Sequence, residues 1–82
     1  MIYEIEFKSR AVRDLRGIDR SEARRIIRKI DAMKQDLAGD IKRLTSFTPE
    51  YRLRVGNYRV LFEIEDEKVI VYRVRHRRDV YS

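Results

Sequence analysis

With 82 residues the chain has room for one small core, so residues 1–82 are read as a single domain. Twenty Lys and Arg against fourteen Asp and Glu give a net charge of +6 and a pI near 10.0, which favours nucleic acid, an acidic protein partner, or both. The lack of cysteine excludes disulfides and thiolate metal sites, one histidine cannot build a histidine-rich metal cluster, and 43% hydrophobic with 41% charged residues marks an ordered domain rather than a disordered tail.

In chain order, residues 2–7 alternate apolar and polar and predict a first strand. They lack the apolar h-region of a secretion signal, and no run in the chain approaches the length of a membrane span, so a cytoplasmic protein is expected. Ser9 is placed to cap a helix with Ala11, Val12, Leu15 and Ile18 at helical spacing, ended or broken by Gly17. Asp19 followed by Glu22 resembles a capping box and opens a longer helix to about Leu37, with Ala23, Ile26, Ile27, Ile30, Met33 and Leu37 as its buried stripe. Its other face carries Arg20, Arg24, Arg25, Arg28 and Lys29, either a solvated surface or a docking face for ribosomal RNA or an acidic partner. Residues 38–50 form a connection marked by Gly39, Asp40 and Pro49, with a short extended piece over Ile41–Leu44.

Residues 51–64 read as a β-hairpin around a Gly56-Asn57 turn, because both residues tolerate positive φ. A two-residue loop pairs Val55 with Tyr58, Arg54 with Arg59, Leu53 with Val60 and Tyr51 with Phe62. Tyr51, Leu53, Val55, Tyr58, Val60, Phe62 and Ile64 then line one face, and Arg52, Arg54 and Arg59 the other. Arg54 opposite Arg59 costs stability, and a polyanion would remove that cost. Glu65–Glu67 reads as an acidic turn before a third long strand over about Lys68–Arg75. A three-residue turn puts Ile70, Tyr72 and Val74 on the core face and adds Arg73 and Arg75 to the arginines; a two- or four-residue turn reverses this, and core composition favours the first register. The tail His76–Ser82 carries groups that bind or move protons.

The arginines at 52–59 and 73–78 are interrupted by no acid, and the predicted pairing brings them to one end of the sheet, a pattern suited to phosphates. The carboxylates are dispersed and show no metal-ligand spacing, so no metal and no cofactor is expected. His76 and Tyr81 are the proton-transfer candidates, against a packing role for each.

The run Tyr51-Arg-Leu-Arg-Val-Gly-Asn-Tyr-Arg-Val-Leu-Phe62, the acidic turn before Val69-Ile-Val-Tyr72, and the ending Val74-Arg-His-Arg-Arg-Asp-Val-Tyr81 resemble the RelE/ParE toxins of toxin–antitoxin pairs, the RelE branch in particular. The resemblance covers nearly the whole chain. It implies an α+β fold, a small antiparallel-dominated β-sheet with two N-terminal helices packed on one face, matching the order β-α-α-β-β-β read above. It also implies a ribosome-dependent endoribonuclease that enters the A site, cuts mRNA without metal by 2′-OH attack to a 2′,3′-cyclic phosphate, and so stops translation. Carried over, the family's basic pair falls at Arg52 and Arg54, its hairpin arginine at Arg59, its tail arginine at Arg77, with Arg75 or Arg78 as substitutes, and its C-terminal tyrosine at Tyr81; the catalytic candidates are then Arg54, Arg59, Arg77 and Tyr81 with His76 added on its own chemistry, and Arg52, Arg73, Arg75 and Arg78 are read as RNA-binding. The family has lysines where this chain has Arg52 and Arg54, and arginine is a poor general base at neutral pH, which leaves Tyr81 or His76 to take the proton. The implied partners are the ribosome, mRNA and a RelB-like antitoxin whose acidic or amphipathic segment lies over the basic sheet and displaces the tail. Alone the chain is expected to be monomeric, and a hetero-oligomer with its antitoxin. Alternatives within the resemblance are a ParE-type gyrase poison and an inactive toxin serving as co-repressor.

Overall fold

In the computed structural model, which describes residues 1–80, the hairpin forms in the register that alternation requires. Strand β3 (Tyr51–Val55) pairs antiparallel with β4 (Tyr58–Glu65), with Val55 opposite Tyr58, Arg54 opposite Arg59, Leu53 opposite Val60 and Tyr51 opposite Phe62. Gly56 takes φ +57°, the left-handed conformation that a tight turn needs and that a Cβ disfavours. Around this hairpin the chain runs β1 (Glu4–Phe7), α1 (Ser9–Arg16), α2 (Arg20–Ala32), β2 (Ile41–Arg43), then β3, β4 and β5 (Lys68–His76). The extended piece at 41–44 is thus a true edge strand, β2, antiparallel to β3.

The sheet order is β1-β5-β4-β3-β2, with β1 parallel to β5 and the other pairs antiparallel. Leu53, Val55, Val60, Phe62, Val69, Val71 and Val74 form a core with Ala11 of α1, Ile26 and Ile30 of α2, and Met33. This is the expected α+β arrangement, a mainly antiparallel sheet with two N-terminal helices packed against it.

Strand β5 departs from expectation in an instructive way. Its turn has two residues, Asp66 and Glu67, because Glu65 pairs with Lys68. Parity therefore puts Val69 and Val71 in the core and turns Ile70 to the other side, the reverse of the favoured register. A register shift opposite Leu61/Phe62 then leaves Tyr72 as an extra residue, so that Arg73 faces Leu61, Val74 faces Val60 and Arg75 faces Arg59. The bulge restores the expected faces beyond it: Val74 points to the core, and Arg73 and Arg75 share the outer face with the hairpin arginines.

The helices differ from their sequence reading at the ends and along one edge. Lys8, not Ser9, occupies the N-cap of α1, and although Asp19 occupies that of α2, neither cap makes a side-chain hydrogen bond to the backbone. Asp19 instead accepts a bond from the Ser21 hydroxyl at 2.7 Å, so the capping box does not form. α2 stops at Ala32, and Asp36 and Leu37 take positive φ, which ends the helix before Leu37. Ile26, Ile30 and Met33 are buried as expected, but Ile27 is 46% exposed. It lines a shallow apolar groove of about 400 Å³ between the helices with Phe7, Val12, Leu15, Ala23 and Arg16, because the sheet covers only one side of the helix pair.

One polar contact ties α1 to the sheet. Asp14 accepts bonds from Arg73 Nε at 2.8 Å and Nη2 at 3.2 Å, and from the Val74 backbone N–H at 2.9 Å. Burial works to raise the Asp14 pKa, but the Arg73 and Val74 bonds and the charges of Arg73 and Arg75 outweigh it and hold the carboxyl below its ordinary value. A depressed carboxyl pKa contributes stability that is present above the unfolded value, about 3.9, and is lost as pH falls through the folded value. Asp14→Asn is therefore expected to lower the urea midpoint at pH 7 and to differ progressively less from the parent below about pH 4. A gap that stays constant from pH 7 to pH 3 would show that the carboxylate charge contributes nothing.

Candidate nucleic-acid interface

The outer face of the sheet is built by strict cross-strand placement. Directly opposed residues point to the same side, so β3, β4 and β5 set Arg54, Arg59 and Arg75 side by side in one row. The adjacent row, across β2 to β5, reads Lys42, Arg52, Leu61 and Arg73. Farther from the hairpin tip the same face carries Glu63 opposite Ile70. Leu61 and Ile70 are only 3% and 5% exposed although neither belongs to the main core cluster. The cations therefore occupy the half of the face near the Gly56-Asn57 turn.

The arginines are not equivalent. Arg73 is committed to Asp14, which raises its own pKa, and its side chain faces the helix contact rather than a ligand. Arg52 donates from Nη1 to the Asp40 carbonyl at 3.0 Å and approaches its carboxylate at 3.4 Å. Arg59 Nη1 donates to the carbonyls of Gly56 at 2.9 Å and Tyr58 at 3.0 Å, which holds the guanidinium beside the turn. Arg54 is exposed and Arg75 half-buried. Arg77 continues past β5 with its backbone N–H on the Asn57 carbonyl at 2.7 Å, so it too flanks the turn, and its side chain is exposed.

His76 is placed apart from this row. It opposes Tyr58, whose ring packs toward the core, and the two rings meet edge to face at 5.4 Å between centroids. Its Nδ1 accepts the backbone N–H of Arg78 at 3.2 Å, closing the turn that follows β5. Alternation thus sends His76 and Arg75 to opposite sides of the sheet. Arg78 is exposed, Val80 is buried, and Tyr81 lies outside the described residues.

Three participants have no mark in the sequence pattern or only a faint one. Lys42 joins the cationic face through β2. Asp14, the one acid on α1, was distinguishable only as a carboxylate among Arg10, Arg13 and Arg16. Arg25 of α2 reaches the hairpin turn, where it lies against Gly56. Shallow concavities lie in the groove between the helices, along residues 43–50, and beside the acidic turn. A cationic face with its arginines in a row suits a polymer whose phosphates are spaced along a strand. Among the described residues no three His, Asp or Glu side chains gather as a metal-holding group, and no helix is long and apolar enough to cross a membrane.

The domain is thus a helix-backed sheet with one cationic face, and comparison with known proteins says what it is similar to. Residues 5–81 match the family model described as the ParE toxin of the type II toxin-antitoxin system, parDE. The chain is 43% identical over 47 residues to Toxin RelE3 of Methanocaldococcus jannaschii, a match spanning 57% of this chain and 53% of that protein. It is also 29% identical over 88 residues to the putative toxin RelE1 of the same organism, covering 100% of this chain and 98% of that one. Among solved structures, the RelB-RelE antitoxin-toxin complex from Methanococcus jannaschii contains a chain that superposes with a TM-score of 0.77 at 31% identity, over 93% of this chain and 94% of the other. The chain belongs to the RelE/ParE superfamily of type II toxins.

Proposed function

We propose that this toxin is a ribosome-dependent endoribonuclease that cuts mRNA in the A site, with the Arg54–Arg59–Arg75 row, flanked by Arg77, as its phosphate-binding surface. That row carries the reading: three guanidiniums held in register by backbone pairing cost the free protein like-charge repulsion, which a phosphodiester would relieve. In 2′-OH attack the 2′-O–P bond forms as the P–O5′ bond breaks, leaving a 2′,3′-cyclic phosphate and a free 5′-OH, and on the way the phosphate passes from one negative charge to a more highly charged phosphorane-like transition state. Fixed cations therefore bind the transition state more tightly than the substrate, which is what accelerates the step. The arginines stay protonated and cannot accept the 2′-OH proton. His76 faces the other side of the sheet, so we assign proton transfer to Tyr81. No metal or cofactor takes part in this scheme. Arg52 and Arg78 would guide the RNA, and Arg73 would act by fixing β5.

A RelB-like antitoxin is the proposed partner, because the similar archaeal chain was solved in a RelB-RelE complex. Its acidic or amphipathic segment would cover the cationic face. A second reading, a ParE-type gyrase poison, is favoured by the family model that matches residues 5–81.

Induction of the chain in bacteria followed by primer extension is expected to show cuts within codons, confined to translated regions. Intact transcripts with growth arrest and inhibited supercoiling in vitro would instead establish the gyrase reading. Tyr81→Phe keeps the ring and removes the hydroxyl. It should slow single-turnover cleavage on the ribosome by roughly 10²-fold with binding unchanged. Loss of binding at an unchanged bound rate would make Tyr81 a docking residue.

A further inference from the structure

The hairpin turn is approached by arginines from three separate parts of the fold. From the helix layer comes Arg25: a Cβ built on Gly56 would sit 2.9 Å from its Nη1, 3.2 Å from Nη2 and 3.3 Å from Cζ. The guanidinium of Arg25 thus rests in the space that a side chain at Gly56 would fill. From the sheet, Arg59 Nη1 donates to the Gly56 carbonyl at 2.9 Å, and from beyond β5 the Arg77 backbone N–H is bonded to the Asn57 carbonyl at 2.7 Å. Among the described residues Arg25 is paired with the carboxylate of Glu22, at 3.8 Å, beyond hydrogen-bonding distance, and the Arg25 side chain is 48% exposed. A planar cation held against the turn with its outward donors open is arranged to receive an anion.

We propose that Arg25, lying against the Gly56-Asn57 turn to which the Arg77 backbone is also bonded, forms with Arg77 a further phosphate-binding site that carries the arginine row around the tip of the hairpin onto α2. The ligand class is single-stranded RNA, one phosphodiester resting at the turn while its neighbours occupy the row. This extends the nuclease reading and rests on it. The row takes the phosphates near the cut, and the turn takes the strand as it leaves the sheet. Glycine at position 56 is then needed twice, for its positive φ and for the room that Arg25 occupies.

The test measures binding of a fluorescent oligouridylate about ten nucleotides long across about 50–200 mM salt. Each phosphate neutralised on a single strand contributes about 0.7 to the slope of log K against log salt. Arg25→Gln is expected to lower that slope by about 0.7 and to weaken binding several-fold, Arg54→Gln to do likewise, and Arg10→Gln, an equal charge loss on α1, to leave the slope unchanged. If Arg54→Gln lowers the slope and Arg25→Gln behaves like Arg10→Gln, the site at the turn does not exist although the row does. If neither lowers it, the nucleic-acid reading fails with it. A second measurement needs no variant: the Arg25 Nε–Hε resonance of the parent protein should shift on titration with the same oligonucleotide, saturating with the binding curve. An unmoved resonance overturns the proposal. So does a resonance that shifts with a decaglutamate peptide and not with the RNA, which would assign the turn to an acidic protein.

Discussion

Arg59→Ala is expected to slow single-turnover cleavage of ribosome-bound mRNA by about 10²–10³-fold while weakening ribosome binding much less. Arg59 is the middle member of its row, with Arg54 opposite on β3 and Arg75 opposite on β5, and its guanidinium is held beside the turn by two backbone carbonyls. A cation fixed in this way has no reorganisation to undergo as charge builds on the phosphate, so its attraction grows between ground state and transition state. Arg54→Ala and Arg75→Ala should have smaller separate effects, and the double variants should be less than additive, because the three share one charge field. Removal of Arg59 also relieves two like-charge contacts, so thermal unfolding is expected to change by no more than about 1 kcal/mol in stability. Cleavage at the parent rate would remove the row from the catalytic assignment, and a collapse in stability would make Arg59 structural instead.

The largest loss of stability is expected from Phe62→Ala, at about 3–5 kcal/mol. Phe62 is fully buried at the centre of β4, stacked on Tyr51 with ring centroids 5.6 Å apart and opposite Val71. Truncation leaves a cavity that the helix and sheet layers cannot both move in to fill. A domain of this size has a net stability of roughly 4–12 kcal/mol, so the variant would lose a large part of its margin. Equilibrium urea unfolding reads the effect directly. Phe62→Leu, which keeps most of the volume, should retain a good share of it. A loss below about 1 kcal/mol for the alanine variant would show that the core is not organised on this ring.

The hairpin register was legible because a two-residue Gly-Asn loop leaves only one parity, and that parity turns Tyr51, Leu53, Val55, Tyr58, Val60, Phe62 and Ile64 to the core, with Leu61 the one apolar exception. The first half of β5 was not legible. Ile70, Tyr72 and Val74 alternate as well as Val69 and Val71 do, and no glycine announces the bulge at Tyr72. Arg73 and Arg75 were placed on the right face from the wrong turn length, since the bulge cancels the error. The separate fate of Arg73 depends on Asp14, which lies 59 residues away in sequence, and no local pattern encodes such a pair. Ile27 and Arg25 show the same limit on α2. Periodicity defines a stripe and its opposite face, but only the packed sheet decides how wide the covered stripe is and which cation reaches across to the turn. His76 sits among arginines in sequence, and alternation alone moves it to the other side.

Strand β5 follows every other element in the chain, yet it lies between β1 and β4 in the sheet. During synthesis, β1 therefore has no strand neighbour in its finished sheet, and the hairpin has one open edge, until β5 is made and inserts. Arg75 enters the row with that insertion, and Asp14 acquires Arg73 at the same moment. The row begun by Arg54 and Arg59 in the hairpin is thus completed only by the last strand. A partner that held β5 or the open edge of β4 before insertion would leave the three-arginine row incomplete without ever touching the finished face.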